Sequence, residues 1–426
     1  MVNRSVPPTI KDAVAYQLEL KPYSKIILNN GIPVYTINAG AEDVIQVELV
    51  FDAGNWYEEQ NLIAASTNYL LKNGTKERSA FDINEHFEYY GAYLNRHCYN
   101  ETALISLHSL TKHLGELLPV VRELITDSTF PQEELEIYRQ NVKQRLEVNL
   151  KKSDFVAGRL IDAYLFGKDH PYGKYSSAAE YDAVSRDQLV AYFEEFYRKG
   201  HCRIFIAGKL PVNLEELLNK SFGDLPLNKT ALRDVAHTPA PALEKKYRVT
   251  NDREGVQGAI RIASHFPNRH HPDFTKAQVL NTLFGGYFGS RLMKNIREDK
   301  GYTYGIHSYM QAHIQDSAWM ISTEAGTEVC EAAISEVYKE MEILRERTVS
   351  PAELLLVKNF LIGSILGDLD GPFHIIGRWK NIILNGLSED YFNQSIQQIK
   401  TVTAEEIQAL ANKYLQPDNF YELVVV

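Results

Sequence analysis

Cysteine is scarce in this chain. Three residues in 426, Cys98, Cys202 and Cys330, lie far apart with no C-x-x-C pair. A disulfide framework and a cysteine zinc knuckle are thereby excluded, and the expectation is reduced thiols in a reducing, cytoplasmic compartment. Long apolar runs are also missing, so no segment reaches the roughly 18 residues of a membrane span. The opening "MVNRSVPPTIKDAVAYQLELKP" places charges and a Pro-Pro pair where a signal peptide would carry an apolar stretch. Positive charge is not in excess: 45 Lys and Arg face 55 Asp and Glu, a net charge of -10. Neither a nucleic acid nor a membrane is an expected partner. The glycine-rich "GGYFGSRL" lacks the spacing of a phosphate loop or dinucleotide fingerprint, and no G-x-S-x-G nucleophile elbow occurs.

What is present is the composition of a folded globular protein, 44% hydrophobic and 23% charged, with enough length for more than one core. The chain also repeats itself. "VSRDQLVAYFEEFY" (184–197) resembles "VTAEEIQALANKYL" (402–415), each followed by a polar turn and a β-rich run. "FPQEELEIYRQN" (130–141) resembles "VSPAELLLVKNF" (349–360) at nearly the same offset, roughly 220 residues and about half the chain. Two matches in one register argue for duplication.

Each half reads as opening strands, a helix, a strand pair, a helical stretch, a closing helix and a final strand. "YSKIILNNGIPVYTINA" predicts a hairpin with an Asn-Gly turn. The fold class is therefore α+β: two duplicated α/β-sandwich domains, each a mostly antiparallel sheet covered by helices. The expected boundaries are 1–228 for the first domain, 229–245 for a linker poor in periodicity, and 246–426 for the second.

The stretch "DAGNWYEEQNLIAASTNYLLKNGTKERSAFDINEHFEYYGAYLN" resembles the pitrilysin/insulinase/mitochondrial-processing-peptidase family of zinc metallopeptidases, the inverzincins. The Ala-Gly after a strand, the Gly-Thr ending a helix and the Gly-Ala-x-Leu-Asn that follows all match. "LFGGYFGSRLMKNIREDKGYTYGIHSY" (283–309) looks like that family's C-terminal-domain signature. The resemblance covers nearly the whole chain and implies a metallopeptidase fold of the LuxS/processing-peptidase type.

In such enzymes H-x-x-E-H sets two imidazoles and a general base on one helix face, and a distant Glu completes the ligands. Aligned on Gly74-Thr75, those positions fall here on Ala65, Asn68 and Tyr69, and Glu147 is the best match to the distant carboxylate. Ala65 has no donor atom, Asn68 no basic group, and a phenol such as Tyr69 is an unsuitable ligand at neutral pH. The resemblance thus implies a non-catalytic subunit that binds no zinc itself. Where active relatives have Asn-Ala in the next strand, this chain has Asn95-Arg96.

Arg297 and Tyr304, seven apart in "REDKGYTY", match an Arg/Tyr pair that in the family approaches the substrate near the scissile carbonyl. The implied partners are a homologous zinc-bearing peptidase subunit in a heterodimer, or a second copy of this chain, and a peptide substrate. Taken singly, Tyr304 also reads as sheet packing and Arg297 as a solvated helix-end cation. The alternative function is a homodimeric peptide-binding or scaffold protein. A relocated site on His270 and His271 ranks last, because "HFPNRHHPD" reads as a surface turn.

Overall fold

The computed structural model describes residues 11–229 and 233–426. The N-terminal reading of residues 1–10 and positions 230–232 of the join lie outside the described residues. Eleven strands fall into two sheets among the described residues. The first contains β1 (Ser24–Ile27), β2 (Pro33–Asn38), β3 (Val44–Phe51), β4 (Tyr93–Cys98), β5 (Ala103–Leu110) and β6 (Cys202–Gly208), in the order β1-β2-β6-β3-β5-β4. The second contains β7 (Lys246–Val249), β8 (Gln257–Phe266), β9 (Thr303–Ala312), β10 (Ser317–Gly326) and β11 (Tyr421–Val425), in the order β7-β11-β8-β10-β9.

Removing β1 makes the two orders superpose element for element. Each sheet has one parallel pair, β2 with β6 and β7 with β11, and is otherwise antiparallel. A shared order that includes the same single parallel contact is the structural form of the sequence repeat. The Asn-Gly hairpin is present, with Gly31 at φ +91 in the turn, a conformation that a side chain resists.

The helices of the first half are α1 (Ile63–Leu70), α2 (Ala80–Tyr89), α3 (Leu114–Thr126), α4 (Gln132–Leu150), α5 (Ser153–Phe166), α6 (Ala178–Ala183), α7 (Arg186–Phe193) and α8 (Leu214–Phe222). Those of the second are α9 (Phe274–Asn281), α10 (Cys330–Glu346), α11 (Pro351–Gly367), α12 (Pro372–Leu384), α13 (Tyr391–Thr401) and α14 (Ala404–Tyr414). The repeated segments start on matching capping boxes. Ser185 pairs with Gln188 on α7, and Thr403 with Glu406 on α14, each side chain satisfying the other's backbone N–H. Pro131 precedes α4 and Pro351 opens α11, where a missing N–H does no harm. No single helix among the described residues is long and apolar enough to cross a membrane.

The described residues divide into two compact units, those of 21–244 with 371–381, and those of 11–20 with 245–370 and 382–426. An even split at 229–245 does not describe this exchange of short segments. Lys380 Nζ meets Glu48 Oε2 at 2.5 Å, and the Trp379 indole donates to the Lys21 carbonyl at 2.8 Å. In the other unit the Asn359 amide bonds Asp12 Oδ1 at 3.0 Å and the Val14 N–H at 3.1 Å. Each of these contacts lies within one compact unit and is made across a long separation in sequence.

Candidate functional site

The positions that the resemblance aligns with the metal motif lie on α1. This helix starts where Leu62 takes the left-handed conformation, φ 76, which is unfavourable for a side chain with a Cβ. Glu58 compensates. Its carboxylate accepts from the N–H of Ala64 at 2.9 Å and of Leu62 at 3.3 Å, and pairs with Lys174 at 2.7 Å. Burial nevertheless raises the Glu58 pKa, outweighing Lys174 and the two amides. The helix ends before Gly74, at φ +133, where a Cβ would meet the Pro131 ring at 3.0 Å.

On α1 the three motif positions have separate fates. Ala65 is half-buried and offers only a methyl group. Asn68 is 2% exposed, and its amide donates to Tyr197 Oη at 3.1 Å and to the Leu104 carbonyl at 3.4 Å. It is a satisfied core polar group. Tyr69 is 42% exposed, its ring packs 4.7 Å from that of Tyr138 on α4, and the Arg96 guanidinium lies 5.2 Å from its centroid. Burial pushes the Arg96 pKa down to about 10.

Glu147 does not join them. It is exposed, and nine residues after Tyr138 means two and a half turns, the opposite face of α4 and about 13.5 Å further along. There it lines an apolar groove of about 750 Å³ with Leu146, Leu150 and Arg159. Zinc needs thiolate, imidazole or carboxylate donors converging on one point. A methyl, an engaged amide and a phenol do not fit it, and no cluster of three His, Cys, Asp or Glu able to hold a metal occurs among the described residues.

The second half is built differently. The segment after α9 is a π-helix (282–286), and a second π-helix, 293–299, carries Arg297. Neither was foreseen, because i+5 turns leave no periodic trace in so few residues, though such bulges gather at functional sites. The second one is anchored through Asn295, which donates to Glu336 at 3.1 Å and Glu340 at 2.8 Å, and through the neighbouring Arg291–Glu353 bidentate pair at 2.8 and 2.9 Å. It stops at Gly301, φ +66.

Tyr304 follows on β9, the edge strand. The register runs from Thr303 opposite Ala325 to Ile306 opposite Thr323, so β9 has one residue more than β10 across this interval. That is a β-bulge, a device that redirects a side chain at a sheet edge. Thr303 Oγ1 fixes it, within 2.8 Å of Thr323 Oγ1 and 2.6 Å of the Glu324 carbonyl. Ile306 and Ser308 beyond the bulge are buried, whereas Tyr304 is 93% exposed.

The expectation of ordinary sheet packing therefore fails for Tyr304. The Arg297 guanidinium lies 4.6 Å from the Phe288 centroid and 5.7 Å from that of Tyr304, and forms no hydrogen bond or ion pair among the described residues. Cation–π contact on two rings holds it in place while its donors remain available. Sequence reasoning missed Phe288, although "GGYFG" shows an aromatic in a glycine frame that leaves it exposed. It also missed Tyr138 and Glu58, whose roles depend on contacts distant in sequence.

His270 and His271 bond backbone groups, and His265 faces the Asp316 carboxylate at 3.8 Å. The His270 ring bonds the Asn385 carbonyl at 2.8 Å, and His271 Nδ1 accepts from the Asp273 N–H at 3.1 Å.

Two sheets of one strand order, each backed by helices, with no metal donors at the aligned positions of α1 and Arg297 set beside the exposed Tyr304 of β9, define a duplicated peptidase-type chain. Family models agree over both halves: "Insulinase (Peptidase family M16)" matches residues 34–170, and "Peptidase M16 inactive domain" matches 183–361. The chain belongs to the M16 peptidase family. It is 23% identical over 406 residues to an uncharacterized zinc protease of Bacillus subtilis, covering 93% of this chain and 96% of that one. It is 27% identical over 377 residues to the mitochondrial-processing peptidase subunit beta of Rattus norvegicus, covering 82% and 74%. A crystal structure titled as a peptidase M16 inactive domain from Pseudomonas fluorescens shares the fold, with a TM-score of 0.85, 23% identity, and 95% and 98% of the two chains covered.

Proposed function

We propose that this chain is a catalytically incomplete subunit of a zinc metallopeptidase heterodimer acting on peptides. A homologous partner supplies the zinc ion and the general base, and this chain supplies Arg297 and Tyr304. The observation that carries the reading is the contrast within one molecule. The aligned positions on α1 serve packing, whereas a bulge holds Tyr304 exposed and an anchored π-helix keeps half-buried Arg297 beside it with its donors free. A guanidinium and a phenol fixed in this way are donors suited to an oxygen that gains negative charge when a peptide carbonyl is attacked. The family supports a peptidase setting, and one relative is named as a subunit. Three unpaired cysteines support a reducing, cytoplasmic compartment.

The test is to purify the chain alone and together with an H-x-x-E-H homologue, then compare zinc content, complex formation and peptide hydrolysis. The expected result is no stoichiometric zinc or cleavage with this chain alone, and both in the mixed complex. One zinc per chain with cleavage by this chain alone would overturn the proposal. Failure to associate with the homologue, together with self-association, would favour the homodimeric scaffold.

A further inference from the structure

Arg96 reaches the C-terminal end of α1 at Tyr69, and Lys72 follows Tyr69 by three residues, close enough to feel the charge of Arg96. On the alternation of β4, Arg96 shares the face of Leu94 and Cys98, turned toward the helix, in register with Ile105. One guanidinium nitrogen donates to the Tyr69 carbonyl, and the ring of Tyr69 lies 5.2 Å away. Its Nε is buried and has no partner. Lys72 is half-buried and, among the described residues, makes neither a hydrogen bond nor an ion pair. The charges that act on it are Arg96, which repels it, and Glu88 on α2, which attracts it from beyond ion-pair distance.

Part of this has a structural explanation. The Tyr69 carbonyl is among the last four of α1, which lack helical partners, and the helix dipole favours a cation there. An inward charge also protects an edge strand from unwanted pairing. Neither accounts for a second, unpaired cation placed beside the first. Partial desolvation and the repulsion of Arg96 both oppose the charge on Lys72, and a carboxylate beside the two offsets both. β4 is the edge of its sheet, so one row of its backbone groups is open to an extended peptide.

We propose that Arg96 and Lys72 form a receptor for a carboxylate of an extended peptide lying beside β4, either its C-terminal carboxylate or an acidic side chain. The site occupies the ground of the lost metal motif but needs no zinc, partner subunit or hydrolysis, so it stands or falls separately from the subunit role.

Three N-acetylated valine–alanine hexapeptides serve as probes: one with a free C-terminus, one amidated, and one amidated with a single internal glutamate. Each is titrated calorimetrically into the full chain. At least one carboxylate-bearing peptide should bind 10-fold or more tightly than the plain amide, and which one does so identifies the source of the carboxylate. Lys72→Gln should reduce that preference at least 3-fold and Arg96→Gln at least 10-fold, with binding of the plain amide unchanged. If Arg96→Gln fails to fold, Lys72→Gln decides alone. Equal binding of all three peptides, no binding at millimolar concentration, or a preference unchanged in Lys72→Gln would overturn the proposal.

Discussion

Each half of the molecule places an arginine against a tyrosine beside its edge strand, and the two pairs are turned in opposite directions. In the first half Arg96 points from β4 toward α1, gives a hydrogen bond to the Tyr69 carbonyl, and is largely desolvated. In the second, a bulge turns Tyr304 of β9 outward and Arg297 waits beside it with its donors unused. β4 and β9 hold the same place in the two sheets, so a shared scaffold does not fix the chemistry at its edge. One extra residue in β9 and one arginine in β4 separate a pair turned outward from a pair turned inward.

This comparison is most severely strained by rebuilding the first half. Asn68→Glu returns the general-base position but buries a carboxylate against Tyr197, which already takes the Asn68 amide. We expect a loss of about 3 kcal/mol or more in denaturant unfolding, and no gain of zinc even with Ala65→His and Tyr69→His added. A stable triple variant would show that α1 remains a metal-site scaffold.

A smaller effect concerns pH. The folded-state pKa of Glu58 lies above its unfolded value, so between the two values the folded protein holds a proton that the unfolded chain has released. Stability should fall as pH rises through that window, and Glu58→Gln should flatten this slope while weakening the start of α1. Urea midpoints of both proteins across mildly acidic pH measure it, and parallel profiles would mean that Glu58 is not the group responsible.

The smallest effect sharpens the duplication itself. Ser185→Ala and Thr403→Ala remove equivalent caps from α7 and α14, and each should lose about 1 kcal/mol. Values differing by more than about 1 kcal/mol would show that the repeated segments no longer do equal structural work.

The features legible in sequence were those written in contiguous residues. The capped helices of the repeat, the Asn-Gly hairpin and the β9–β10 pair follow from local pattern. Side-chain type alone also gives Ala65, Asn68 and Tyr69 no imidazole, carboxylate or thiolate, whatever surrounds them. What was not legible depends on distant contacts. Residues 371–381 belong with the first unit through Trp379 and Lys380, and nothing in their own pattern states it. Glu147 is the best sequence match to the distant carboxylate, yet helix phase turns it away from Tyr69, and Tyr138 packs there instead. The exposure of Tyr304 rests on a bulge, which an alternation of aromatics conceals.

The most direct test of the central claim is the turnover of the mixed complex when only this chain carries Arg297→Ala. A donor to the developing oxyanion predicts a fall of about 100-fold in kcat, with zinc content and complex formation unchanged. Unchanged kcat would contradict the claim and leave Arg297 as a surface cation resting on two aromatic rings.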